Sequence, residues 1–229
     1  MQKLRHFLCL CCACMGVQAA LAADIVIDAG HGGRDPGTVR TYKGKLHLEK
    51  TFTLDMSKQL QREFKQKGYS VAMTRSVDKT VSLQERLNYA RAHCKKLFVS
   101  VHVDSAPTPR AHGVNAFAAG KNHEMGKRSM HIARNVQSTF NPIRPVRKEN
   151  FFVLKNANCP TLLVEMGYIT NDRDLERLLN QKARGKMVST LGQVLDKSIK
   201  QQEKKAKTKP ATQTTKDKNS TKKSPLRQI

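Results

Sequence analysis

Strand-length apolar runs alternate with helix-length amphipathic stretches from Ile25 to Lys200, and this alternation most limits the folds open to the chain. "IVIDA", "YSVAMTR", "KLFVSVHVD", "VNAFAA", "FFVL" and "PTLLVEMGYI" read as strands. Between the first two, Leu48, Phe52, Met56, Leu60 and Phe64 recur every four residues as one helical face, and Gly68 supplies a stop. In "VSLQERLNYARAHC", Ser82 and Glu85 have the spacing of a helix-capping box. "HEMGKRSMHIARNVQSTF" and the stretch from Asn171 to Gln202 are helical in pattern, the second with a break expected near Gly185. The expectation is a single α/β domain with a mostly parallel, mixed central sheet flanked by helices on both faces.

The ends differ in character from this body. Residues 1–23 combine basic Lys3 and Arg5, an apolar stretch and a small-residue end at Ala20, Ala22 and Ala23. That is the pattern of a secretory signal peptide cleaved after Ala22 or Ala23. The expected catalytic body is then 24–200. From Gln201 on, nine Lys and Arg stand against two acids with almost nothing apolar, so 201–229 is expected to be a disordered Lys-rich tail. The formal net charge of +24 suits contact with an anionic wall polymer or membrane surface through that tail, or simple solubility. A secreted chain makes nucleic acid the least fitting partner, and a monomer in the periplasm or at the cell wall is expected. Four of the six cysteines lie in the leader; Cys94 and Cys159 remain, each just before a strand. Two buried free thiols are expected in preference to a bridge, which an oxidising compartment would permit.

The chemistry concentrates at strand ends. In "IDAGHGGRDPG", His31 sits among glycines that allow positive φ and close approach to the backbone. His102 lies near the end of "KLFVSVHVDS" and Glu165 at the end of "TLLVE", and parallel strands bring such ends to one edge, where α/β sheets place ligands. Glu49 falls in the first turn of a helix, where a carboxylate is favoured. Two His and a Glu suit a catalytic zinc with one position left for water, and a second carboxylate suits proton transfer. Short-range spacing alone leaves alternatives open: His102 as a hydrogen-bonded core histidine, Glu165 as the partner of an arginine.

"IDAGHGGRDPG", "LEK", "LFVSVHVDS" and "PTLLVEMGYITN" together resemble the zinc-dependent N-acetylmuramoyl-L-alanine amidases of bacterial cell walls (the type-3 family), over roughly Ile25 to Lys200. The resemblance implies zinc held by His31, Glu49 and His102, with Glu165 as the catalytic carboxylate. It implies hydrolysis of the amide joining N-acetylmuramic acid to the L-alanine of the peptidoglycan stem peptide, in wall remodelling and daughter-cell separation. A zinc peptidase acting within the stem peptide and a non-catalytic wall-binding protein are the rival readings. Two positions depart from the family pattern: Asp104 replaces the usual asparagine and Tyr168 a common phenylalanine. No inhibitory helical insert is apparent between His102 and Glu165, which implies activity without an opening partner. Asp28 is read as orienting a zinc ligand or capping the loop, and Arg34 and Arg75 as candidates for stem-peptide carboxylates. His47, His93, His112, His123 and His131 are read as structural or exposed, His47 being the strongest rival to the ligands because it lies two residues before Glu49.

Overall fold

The computed structural model describes residues 22–118, 124–141, 145–155 and 158–208. The leader up to residue 21, His123 and the tail from 209 lie outside that range. The first apolar run is β1 (Ala23–Ala29), followed by a hairpin, β2 (Val39–Tyr42) and β3 (Lys45–Leu48), that leads directly into α1 (Glu49–Gln66). Then come β4 (Val71–Met73), α2 (Leu83–His93), β5 (Cys94–Asp104), β6 (Asn115–Ala118), α3 (Glu124–Phe140) and β7 (Arg147–Lys148). The chain continues through β8 (Thr161–Tyr168), α4 (Asp172–Leu179) and α5 (Gln181–Thr208).

Six strands form one sheet in the order β4-β1-β5-β8-β6-β7. β4, β1, β5 and β8 run parallel, and β6 pairs antiparallel to β8, so the sheet is mixed as expected. Alternation along the strands divides the core. Val99, Val101 and Val103 of β5 face Phe52, Met56 and Leu60 of α1 with α3 and α5, whereas Phe98 and Leu163 face Ala90 of α2 and Leu154. His102 and Glu165 therefore project to the α2 side at the carboxyl edge of the sheet. α3, which lies in the interval between His102 and Glu165, buries Ile132, Ala133 and Val136 in the main core.

Local signals held where they had a backbone mechanism. Ser82 Oγ accepts from the Glu85 N–H while Glu85 Oε2 accepts from the Ser82 N–H, completing the capping box. Gly68 follows α1 at φ 85°, a left-handed position that ends the helix without a Cβ penalty.

Four expectations need correction. The helical face does not include Leu48, which ends β3; Glu49 is the first helical residue. "FFVL" is not a strand: Phe152–Leu154 is a 3-10 turn closed by Leu154 N–H to Phe151 O, while β7 occupies the edge beside β6. Four apolar residues carry too little periodicity to decide between strand and turn. The C-terminal helical stretch breaks at Asn180, not Gly185, because the Asn180 side chain accepts from the Ala183 N–H and starts a new helix. That helix runs to Thr208, past the expected boundary at 200, held by buried Gln202, which accepts from Arg128 Nε and donates to the Arg128 carbonyl.

Cys94 and Cys159 form a disulfide with their Cα atoms 5.9 Å apart, so the reading as free thiols is also overturned. The cause is topological. β5 and β8 are parallel neighbours, and Phe98 N–H donates to Pro160 O, so the residues entering both strands start side by side. The bridge closes a loop of 65 residues. Replacing both cysteines by serine is expected to lower stability by about 2–4 kcal/mol through the freed loop. Equal melting temperatures for the two proteins would contradict this.

Candidate metal centre and active site

His31 leaves β1 with φ 59°, a left-handed conformation that costs a non-glycine residue about 1–2 kcal/mol. Its Nδ1 stands 2.8 Å from Asp35 Oδ2 and its Nε2 stands 3.1 Å from Glu49 Oε1. His102 presents Nδ1 to the same Glu49 oxygen, also at 3.1 Å. The rings of His31 and His102 meet edge to face with centroids 5.0 Å apart. Glu49 is buried at the first position of α1; its Oε2 accepts from Thr38 N–H and its Oε1 from Val103 N–H. One ligand atom from each of His31, Glu49 and His102 lies within 4.8 Å of the others, the only such group among the described residues.

The surroundings are cut to these ligands. A Cβ on Gly30 would stand 2.2 Å from His102 Cε1, and one on Gly37 would stand 2.6 Å from His31 Cδ2 and 2.7 Å from Glu49 Oε2. The glycines of the loop make room for the imidazoles themselves. Two nitrogens and a carboxylate oxygen form a donor set that zinc accepts, and the two 3.1 Å separations from Glu49 Oε1 are close to the ~3.3 Å between ligands of a tetrahedral ion. The site therefore fits a metal.

Burial raises the proton affinity of Glu49, but hydrogen bonds and charge from His102 and His31 overcome it and hold the carboxyl well below its ordinary range. For His31, burial opposes protonation, while Glu49 and Asp35 more than compensate and push its pKa up. Both directions describe the ligands facing one another directly.

Glu165 sits beside His102 in the β5–β8 register and opposite Asn115 on β6. It is 3% exposed, and its Oε2 has no hydrogen-bond partner. Burial, reinforced by the negative charges of Glu49 and Asp104, raises its pKa well above the ordinary 4.5. A carboxyl with a raised folded pKa adds stability below its unfolded pKa and loses it as pH rises. In chelator-treated protein, Glu165→Gln is thus expected to match the parent melting temperature near pH 4 and exceed it increasingly toward neutral pH. A gap independent of pH would contradict the assignment.

Asp104 is a further carboxylate whose charge acts on Glu165. Burial raises its pKa despite stabilising contacts from Tyr168 and the Ser105 N–H. A register shift between His102 and Asp104 pairs Asp104 with Tyr168, whose hydroxyl accepts from Asn115 Nδ2. The departures at Asp104 and Tyr168 thus touch each other beside Glu165. A cleft of about 260 Å³ opens on the α2 side, bounded by His31, Asp35, His102, Val81, Leu83 and Val153.

Other candidates fall elsewhere. Asp28 is fully buried and accepts from Thr74, Ser100 and Arg86, and the charge of His102 acts on it as well. Arg75 is 1% exposed and bonded to backbone carbonyls, so it cannot meet a substrate carboxylate. Arg34 is exposed near the glycine loop. His47 lies on β3 against Phe52, His93 stacks on Tyr89, and His112 bonds to Arg110 O. None of these, nor His131, joins the cluster. Sequence reasoning missed Asp35 and Arg86. Asp35, four residues after His31 in a tight glycine loop, was in reach as a ring-orienting carboxylate.

A family profile described as N-acetylmuramoyl-L-alanine amidase matches residues 25–197. The chain belongs to this amidase family. It is 34% identical over 164 residues to a probable cell wall amidase, LytH, of Staphylococcus epidermidis, covering 72% of this chain and 54% of that protein. The chain thus spans about half the length of that relative. An N-acetylmuramoyl-L-alanine amidase of Clostridium difficile superimposes with a TM-score of 0.69 at 28% identity, covering 78% of this chain and 97% of that one. The catalytic domain of the CwlV amidase of Bacillus (Paenibacillus) polymyxa gives a TM-score of 0.64 at 26% identity, with 77% and 97% covered. The matched amidase region contains every residue of the metal cluster and Glu165.

Proposed function

We propose that the protein is a zinc-dependent N-acetylmuramoyl-L-alanine amidase that hydrolyses the bond between the lactyl group of N-acetylmuramic acid and L-alanine of the stem peptide. The observation that carries this reading is the orphaned, buried Glu165 oxygen beside a His/Glu/His cluster on the same sheet edge. His31 and His102 would hold zinc by imidazole nitrogens and Glu49 by a carboxylate oxygen. Bound there, zinc supplies Lewis acidity, polarising the scissile carbonyl and lowering the pKa of water to about 7. Asp35 fixes the His31 tautomer that offers Nε2. Glu165 takes a proton from the attacking water as its oxygen bonds to the carbonyl carbon. As the C–N bond breaks, Glu165 returns that proton to the departing amine, leaving a lactyl carboxylic acid and a free L-alanine amino group.

Mass spectrometry of products from purified muropeptides tests the reading. Stem peptides that begin with a free L-alanine amine, together with peptide-free glycan, support it. Fragments cut within the peptide support a zinc peptidase instead, and binding without any product supports a wall-binding protein.

The setting is proposed to be outside the cytoplasm, at or near the wall, in remodelling and cell separation, with the chain acting as a monomer and without an opening partner. The disulfide and the leader pattern support secretion. Among the described residues, no helix is long and apolar enough to cross a membrane. The lysine-rich end is proposed to hold the enzyme on an anionic wall or lipid surface. Deleting residues 209–229 is expected to leave turnover of soluble muropeptides unchanged and to reduce salt-sensitive adsorption to wall fragments. Equal adsorption would contradict anchoring.

A further inference from the structure

Two buried arginines together direct their guanidinium groups at three consecutive carbonyls of the His31 loop and share the first of them. Arg75 Nε donates to Ala29 O at 2.9 Å and its Nη2 to Gly30 O at 2.9 Å. Arg86 Nη1 donates to Ala29 O at 2.7 Å and its Nη2 to His31 O at 2.7 Å. The bonds extend to every element that carries a ligand. Arg75 Nη2 also reaches Lys50 O, in the turn of α1 that begins with Glu49, and Thr53 Oγ1, which itself donates to Gly30 O. Arg86 Nη1 pairs with Asp28 at 2.6 Å, and Asp28 accepts from Ser100, two residues before His102 on β5.

Burying two cations side by side is costly: burial and the neighbouring charge of Arg86 both depress the pKa of Arg75. A loop carbonyl alone could be satisfied by a neutral N–H. The left-handed backbone of His31 also has to be held against its own preference. A planar fork with fixed donors can span adjacent carbonyls at set angles, which a lysine ammonium cannot.

We propose that Arg75 and Arg86 are positioning residues for the metal: they lock the carbonyls of Ala29, Gly30 and His31, and through them set His31, Glu49 and His102 at the separations that bind zinc. This rests on the zinc reading given above. Both arginines are buried and commit their donors to these carbonyls and to Thr53 and Asp28. Each acts through His31 and the start of α1, so its loss weakens metal binding more than it weakens the fold.

The test is zinc affinity by chelator competition for the parent, Arg75→Lys and Arg86→Lys, with melting temperatures of the metal-free proteins measured alongside. Either lysine variant is expected to weaken zinc binding about 10–100-fold, the range found when groups orienting metal ligands are removed. The variant lacking Cys94 and Cys159, at the opposite edge of the sheet, is the comparison. It is expected to melt lower while keeping parent zinc affinity. Lysine variants that melt lower but bind zinc like the parent overturn the proposal. Should neither lysine variant fold, Thr53→Val removes one hydroxyl of the same clamp; it is expected to weaken zinc binding several-fold, and unchanged affinity overturns the proposal. If the parent itself binds no zinc, the zinc reading fails separately. The clamp is then read by NMR of the metal-free protein, where the His31–Asp35 hydrogen bond is expected in the parent and lost in the variants; its survival overturns the clamp.

Discussion

Glu165→Gln is expected to lower turnover of muropeptides by about 10²–10⁴-fold, the usual contribution of a general acid–base group, while zinc content stays at one per chain. Glutamine keeps the shape and the place opposite Asn115 but can neither accept the proton of water nor return one to the amine. The substitution leaves the His31, Glu49 and His102 atoms untouched, because Glu165 lies outside the mutual cluster. The fall should appear in kcat with KM little changed, since the step lost is proton transfer and not binding. Parent-like turnover by a zinc-loaded variant would remove Glu165 from the chemistry. A loss of zinc along with activity would place it among the ligands.

Gly30→Ala is the second large effect. The added Cβ would stand 2.2 Å from His102 Cε1 and within 2.6 Å of both ring nitrogens, so the imidazole must leave its place. The backbone offers no easy retreat, because Gly30 N–H donates to Val101 O and Gly30 O is held by Arg75 and Thr53. A single methyl is therefore expected to weaken zinc binding by at least about 100-fold and to abolish turnover. Gly44→Ala is the contrast: its Cβ would meet nothing within 4 Å, although φ is +75° there, so any loss should be in stability and not in zinc. Zinc affinity preserved in Gly30→Ala would mean that His102 is not a ligand in the position described.

How far the sequence foretold this site depends on which kind of signal each part carries. The strands of the parallel core were legible because buried runs such as "KLFVSVHVD" are long and β-rich, and their polar ends marked one edge of the sheet. His31, His102 and Glu165 were singled out that way, and Glu49 by its place at a helix start. Cys94 and Cys159 were misread because their meeting depends on β5 and β8 being neighbours, which no local pattern states. Arg75 was read as a candidate for stem-peptide carboxylates because arginines usually face solvent. Its burial follows from the two carbonyls, of Ala29 and Gly30, that the glycine loop exposes inward, and these exist only once the loop is folded. "FFVL" had too few residues for any period, whereas Asn180 acted through a side-chain cap that outranked Gly185 as a helix break.

Native mass spectrometry of the purified chain and its His102→Ala variant tests the central claim most directly. The account predicts the parent mass plus one zinc ion, removed by chelator and restored by zinc, and a variant that folds but carries none. A parent chain that stays metal-free in excess zinc, or a His102→Ala chain that binds it equally well, would contradict the site.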